Sequence, residues 1–359
     1  MAVHPGEILK DELEERGISQ KELADMMGVQ RSHLNELIKG TRNMTMTMAY
    51  MLEQTLGISS VIWMNLQAQY DYTVVTLEKK DKEEKDAAAA ESKLLAVVNL
   101  KELYKRFTIT ASTCKKRIDE LFSRLSIGLE DISKIGIGIQ GYFQRSGKLQ
   151  MDDRNMRTWL MLAMTAANDA PVTSPYMEGN ALQAAHDIAS MVNSGKITVK
   201  RIRDCLNGYG IAYAVVEKLD KTPIDAFSTM AEGKPAIVVT YRHNDMDKLS
   251  FDILHELCHI ERHIGKGYDS FISIESDRST DPLEEEANSF ARDMLIPPTL
   301  WNEILAAHSK SLDPNLVVAT IARVAALHGI SKTIAVARYK HDSNYYTVRK
   351  YRSPKIALD

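Results

Sequence analysis

The sequence predicts an α+β fold that is mostly helical, with a small β-sheet in its C-terminal half. Three observations carry this. Short helical patterns separated by glycines fill the first forty residues. The two runs richest in β-formers, Tyr209–Val216 and Ala236–Tyr241, lie together past the middle. Elsewhere apolar residues recur at a helical period. With 359 residues the chain has room for two or three domains, each able to bury a core. A hydrophobic fraction of 44% and a charged fraction of 26% are those of a globular protein, and no window approaches a membrane span. The chain opens on a Pro5-Gly6-Glu7 turn rather than a basic segment and an apolar run, so the expected location is the cytoplasm, with no membrane partner. Cys114, Cys205 and Cys258 are odd in number and far apart, which excludes a disulfide framework. Composition divides the chain into a head over 1–75, a helical linker over 76–110, a helical intermediate region over 111–200, a sheet-bearing core over 201–310, and a helical C-terminal region and tail over 311–359.

In the head, Ile8, Leu9 and Leu13 fall on one helical face that Gly17 terminates. Ser19-Gln20-Lys21-Glu22 is a capping box opening the next helix, whose core face is Leu23, Ala24 and Met27. Gly28-Val29 then turns tightly into Gln30–Lys39, with Leu34, Leu37 and Ile38 inward. Two short helices joined so briefly predict a helix-turn-helix. In that motif the second helix enters the major groove, so Gln30, Arg31, Ser32, His33 and Asn35 are the candidate DNA-contacting residues. The bland alternative is a helical interaction module whose polar residues are merely solvated. The net charge of −3 gives no global pull toward nucleic acid, and acidic residues outnumber basic ones in the head, so single-site affinity is expected to be weak and dimerisation necessary.

His4-Pro5-Gly6-Glu7-Ile8-Leu9, Gly17-Ile18-Ser19-Gln20-Lys21-Glu22-Leu23-Ala24 and Asn35-Glu36-Leu37-Ile38-Lys39-Gly40 resemble the HigA-type antitoxin branch of the Xre helix-turn-helix repressors, over about the first seventy residues. The resemblance implies a five-helix-type domain that binds operator DNA as a homodimer.

Lys79–Lys93 is a run of Lys, Glu, Asp and Ala that reads as a solvated helical spacer. Leu94, Val97, Val98, Leu103 and Phe107 extend the helical pattern toward Arg124. Gly136-Ile137-Gly138-Ile139-Gln140-Gly141 matches the glycine spacing of dinucleotide sites, but the residues after it, through Gly147, read as an irregular loop, so these are turn glycines and no nucleotide cofactor is expected. Arg157–Ala167 and Ala181–Val192 read as amphipathic helices.

The second β-rich run leads into a helix over Lys248–His263 that contains His255-Glu256-Leu257-Cys258-His259. Two imidazoles four residues apart share a helix face and can reach one ion, with Glu256 beside them as a general base. A catalytic zinc site needs a third protein ligand and an open position. His263 lies about 12 Å along the helix from His255, too far to share an ion, and reads as structural or as a partner of a ligand. Asp281-Pro282-Leu283-Glu284-Glu285-Glu286 opens another helix, with Asp281 suited to the N-cap and Pro282 to the first turn. Stepping back one turn from Ala287 and Asn288 on its core face lands on Glu284 rather than Glu285 or Glu286. Glu284 is thus the candidate third zinc ligand, and Asn288 the candidate hydrogen-bond partner of a liganding histidine. The bland readings are a pair of packed core histidines and a capping-box glutamate.

His255 through His263, with Glu284 through Pro297, resembles the ImmA/IrrE metallopeptidase family. Phe143-Gln144-Arg145-Ser146, Trp159 and the run Gly329–Tyr339 match its larger members, fused to an antitoxin-like head. The resemblance covers about residues 140 to 340 and departs at Cys258, where the family commonly has glycine; a packed small residue is expected there. It implies a zincin-like peptidase domain with Zn2+ on His255, His259 and Glu284, Glu256 catalytic, and a protein substrate that is a repressor or a toxin-antitoxin partner. The alternative is a non-catalytic HigA-like antitoxin or repressor that binds operator DNA and a toxin; a zinc-stabilised scaffold is a third possibility. After Pro297-Pro298 a helix is expected from Asn315 to His328, closed by Gly329, then a basic tail, Lys340 to Lys355, that can pair as a strand.

Overall fold

A computed structural model describes residues 2–125, 151–241, 245–274, 281–307, 313–343 and 351–355. The glycine run Gly136–Gly141, the segment Phe143–Ser146 and Arg242–Asn244 lie outside the described residues. The chain forms two compact units, Met1–Glu91 with Ala111–Ile118, and Ser92–Thr110 with Asp119–Asp359.

The first unit contains α1 (Pro5–Arg16), α2 (Gln20–Met27), α3 (Arg31–Ile38), α4 (Met46–Leu56) and most of a long α5 (Ser60–Val97). Its core is Leu9, Leu13, Leu23, Ala24, Met27, Leu34, Leu37, Ile38, Leu52 and Trp63 with their neighbours. Pro5-Gly6-Glu7 is the first helical turn, not a free turn: His4 is the N-cap, its Nδ1 accepting from Gly6 N at 3.0 Å while Glu7 accepts from His4 N at 3.2 Å. Gly6 is required because a Cβ there would lie 1.9 Å from the Leu37 carbonyl oxygen, so α1 starts against the end of α3. The Ser19/Glu22 capping box forms, and Gly17 and Gly28 close α1 and α2 at φ 68° and 64°. Ile8, expected inward, is exposed, because Leu9 and Leu13 set the buried stripe and Ile8 lies about 100° around the helix from Leu9.

The acidic-basic run is one continuous helix, and it is not solvated all round. Ala87 and Ala90 are buried, Glu84 accepts from Lys115 N at 3.1 Å, and Glu91 accepts from Arg117 Nε at 2.9 Å and Nη2 at 2.8 Å. The helix pattern expected to run through to Arg124 breaks at Asn99, whose side chain accepts from Glu102 N and starts α6 (Leu100–Arg106); α7 (Cys114–Leu125) follows separately.

In the second unit, α8 (Asp153–Asp169), α9 (Asn180–Asn193) and α10 (Val199–Gly208) precede a four-stranded sheet. The strands are β1 (Ala212–Val215), β2 (Ile224–Ala231), β3 (Lys234–Val239) and β4 (Ser270–Ile274), in the order β1-β3-β2-β4. β1 pairs parallel with β3, and β2 pairs antiparallel with both β3 and β4, with Ser228 opposite Phe271 and Ala226 opposite Ser273. The sequence singles out β1 and β3 and passes over the other two. β2 is buried at all but one position, so its Asp, Ser and Thr have no alternation to betray a strand, and β4 has only five residues. β3, which precedes the histidine helix, is therefore interior; among the described residues the outer strands are β1 and β4, and β4 is the one packed beside that helix.

The helix α11 (Met246–Arg262) starts after Asp245, whose carboxylate pairs with Lys355 rather than with the first turn, and buries Leu249, Ile253, Leu254, Leu257, Cys258 and Ile260 against α9 and α12 (Pro282–Leu295). Lys248 Nζ ties it to β2 through Asp225 at 2.9 Å. Then come α13 (Pro298–Ala306), α14 (Pro314–Leu327), closed by Gly329 at φ 71°, and α15 (Lys332–Asp342). In the tail, Lys355 forms an antiparallel bridge with Asp245, and Pro354 O accepts from Met246 N at 3.0 Å. No helix among the described residues is long and apolar enough to cross a membrane.

Candidate metal centre

Helix periodicity stacks His255 and His259 on one face of α11, and α12 lies against that face. Asp281 caps α12, accepting from Leu283 N at 3.0 Å, with Pro282 in the first turn. That start places Glu284 one turn before Asn288, both toward α11. The Glu284 carboxylate turns to the histidines instead of back to the cap: Oε2 lies 3.1 Å from His255 Nε2 and Oε1 3.6 Å from His259 Nε2. The two Nε2 atoms are 3.0 Å apart. Ligands about 2.0–2.1 Å from a tetrahedral ion sit about 3.3 Å from one another, so this triangle has the dimensions of a single coordination sphere. Among the described residues, His255, His259 and Glu284 are the group of three or more such side chains whose ligand atoms converge.

Asn288 Oδ1 accepts from His255 Nδ1 at 3.1 Å, which leaves the Nε2 lone pair on the shared side. Burial lowers the His255 pKa, but the hydrogen bond to Glu284 and the neighbouring Glu256, Glu284 and Asp252 carboxylates outweigh it and raise the pKa. His259 is fully buried, and burial with the adjoining imidazoles pushes its pKa down to about 2, so the ring is in the neutral form that ligates. Phe271 of β4 stacks on it, ring centroids 3.9 Å apart and planes within 13°. His263 Nδ1 lies 2.9 Å from His259 Nδ1, and Glu286 reaches Arg262 and His263 rather than the shared point. Glu285 points outward to Arg292.

Glu256 is fully buried, and burial pushes its carboxyl up to about 7 against the hydrogen bonds it accepts. Those come from Ser228 Oγ on β2 to Oε2 and Ser273 Oγ on β4 to Oε1, each at 2.5 Å. Neither serine nor Phe271 is legible in the sequence as part of a site, because strand polar residues distant from the motif carry no spacing that points to it. Cys258 is fully buried, and burial pushes its thiol up to about 12.

In the first unit, Gln30 is the N-cap of α3, and Gln30, Arg31 and Ser32 are exposed; His33 and Asn35 are half-buried. The polar end of the second helix of the pair therefore faces solvent.

Residues 9–63 match the helix-turn-helix family, and residues 212–340 match the IrrE N-terminal-like domain. The chain is similar to virulence-associated protein I of Dichelobacter nodosus, 35% identical over 80 residues, which are 22% of this chain and 74% of that protein. It is also similar to the uncharacterized HTH-type transcriptional regulator YddM of Escherichia coli strain K12, 36% identical over 69 residues, 19% of this chain and 73% of the relative. Among solved structures it is similar to Pseudomonas aeruginosa antitoxin HigA with the higBA promoter, at 32% identity over 23% of this chain and 90% of that one, TM-score 0.22. A HigA-family addiction module antidote protein from Coxiella burnetii matches at 30% identity over 23% and 92%, TM-score 0.22.

Proposed function

Because the chain belongs to the helix-turn-helix regulators over its first unit and carries an IrrE-like domain over residues 212–340, we propose that it is a zinc-dependent endopeptidase fused to an operator-binding head. Its substrate class in this reading is a repressor or a toxin-antitoxin partner protein. One observation carries the peptidase half: the convergence of His255 Nε2, His259 Nε2 and the Glu284 carboxylate within 3.0–3.6 Å of one another, directly beside Glu256. A bound zinc ion would supply a Lewis acid for the scissile carbonyl and an acidified water. Glu256 takes a proton on its carboxylate and returns it to the leaving amine, with Ser228 and Ser273 holding that carboxylate in place. β4, an outer strand among the described residues, lies beside this helix and offers backbone groups to an extended peptide. Gln30, Arg31, Ser32, His33 and Asn35 read base edges and phosphates, with two heads acting as a homodimer.

A non-catalytic HigA-like antitoxin or repressor is the second reading. It is favoured by the fully buried state of Glu256, both of whose oxygens are already held by serines. Wild type and Glu256→Gln separate the two. Zinc content is measured on both, and candidate repressors, toxins and the chain itself are examined for fragments by mass spectrometry. The peptidase reading expects zinc in both proteins and cleavage by wild type that falls about 10²–10⁴-fold in the variant. A zinc-free wild type, or equal behaviour of the pair, overturns it.

A further inference from the structure

His263 sits at the C-cap of α11, one turn beyond His259, and is buried. Its Nδ1 faces His259 Nδ1 at 2.9 Å, so one ring donates and the other accepts. Two assignments satisfy the contact. If His263 donates, a neutral His259 must carry its proton on Nε2, the atom facing His255 and Glu284, and has no lone pair for a cation. If His259 donates, its Nε2 lone pair is free.

Glu286 distinguishes the two. Its Oε2 lies 3.4 Å from His263 Nε2, and its Oε1 is anchored by Arg262 Nη1 at 2.6 Å. A carboxylate only accepts, so His263 gives it the Nε2 proton, and in the neutral imidazole the remaining nitrogen is then an acceptor. Phe271, packed on both rings at 3.9 and 5.4 Å between centroids, offers no rival polar partner.

We propose that His263 is a positioning residue for the metal. It accepts the Nδ1–H of His259, with Glu286 and Arg262 setting the direction, and so aims the His259 lone pair at the point shared with His255 and Glu284. Each liganding imidazole then has its own acceptor, Asn288 for His255 and His263 for His259. The inference rests on reading the three residues as metal ligands.

The test titrates the full-length apo chain with Zn2+ against a chromophoric chelator, in wild type, His263→Leu, His263→Asn and Glu286→Leu, with circular dichroism of each apo protein as the folding control. Asn keeps an oxygen near the place of Nδ1, whereas Leu keeps only bulk. His263→Leu is expected to lose zinc affinity about 10–100-fold, His263→Asn to stay near wild type, and Glu286→Leu to weaken binding several-fold. A folded His263→Leu chain that binds zinc like wild type overturns the inference, as does an Asn variant as weak as Leu. Should the Leu variant fail to fold, Glu286→Leu decides: weakened binding supports the relay and unchanged binding removes it. A wild type that takes no zinc overturns the metal reading itself and this inference with it, an outcome distinct from tight binding that ignores residue 263.

Discussion

Glu284 stands in the first turn of α12, where a helix draws stability from any carboxylate, yet its oxygens are spent on two imidazoles. Removing it by Glu284→Ala should abolish stoichiometric zinc binding, read by metal analysis after dialysis, because two histidines alone leave an incomplete set. Glu256 makes a different demand. A buried carboxylate stripped of a donor costs at least about 1–3 kcal/mol, so Ser228→Ala should lower unfolding free energy in urea by that amount. The loss should shrink in a Glu256→Ala background, since the serine then has no charge to satisfy. Cys258, fully buried with its thiol pushed up to about 12, should be inert to a thiol reagent in the native chain and react on unfolding. The paired histidines and the phase of Glu284 were legible in the sequence because both follow from helical geometry. The serines were not, since 28 residues separate Ser228 from Glu256 and 17 separate Ser273 from it.

At the scale of elements, the site depends on α11 being held between α12 and the sheet. Lys248 links the helix to β2 through Asp225, which is almost fully buried. Replacing it by Met should destabilise the second unit by about 1–3 kcal/mol, because the buried Asp225 carboxylate loses its charged donor. Phe271→Ala on β4 should cost about 3–5 kcal/mol in the same melt, because the ring fills the space beside His259 and His263. The helices were readable from caps: Ser19, Asp281 and Gly17 act where their residue types predict. β2 escaped that reading, since burial on both faces removes the alternation that identifies a strand, and β4 escaped it because five residues are too few to show a period.

At the scale of the molecule, the core around α11 and the core of the helix-turn-helix head share no residue. Chelation should therefore lower the melting transition of the unit bearing α11 while leaving any operator binding by the head unchanged, as read by calorimetry and by gel shift. Sequence alone determined that there is a helix-turn-helix head, that a later helix presents His255 and His259 on one face, and that Glu284 follows on another helix; each is a local consequence of turn chemistry and a 3.6-residue period. Only the tertiary structure decided that these helices meet with ligand atoms 3.0–3.6 Å apart, that β3 is interior and β4 is an outer strand among the described residues, and that Ser228, Ser273, Phe271 and His263 surround the motif. The physical reason is that approach between distant segments is set by the packing of whole elements into one core, and no spacing within a single element encodes it.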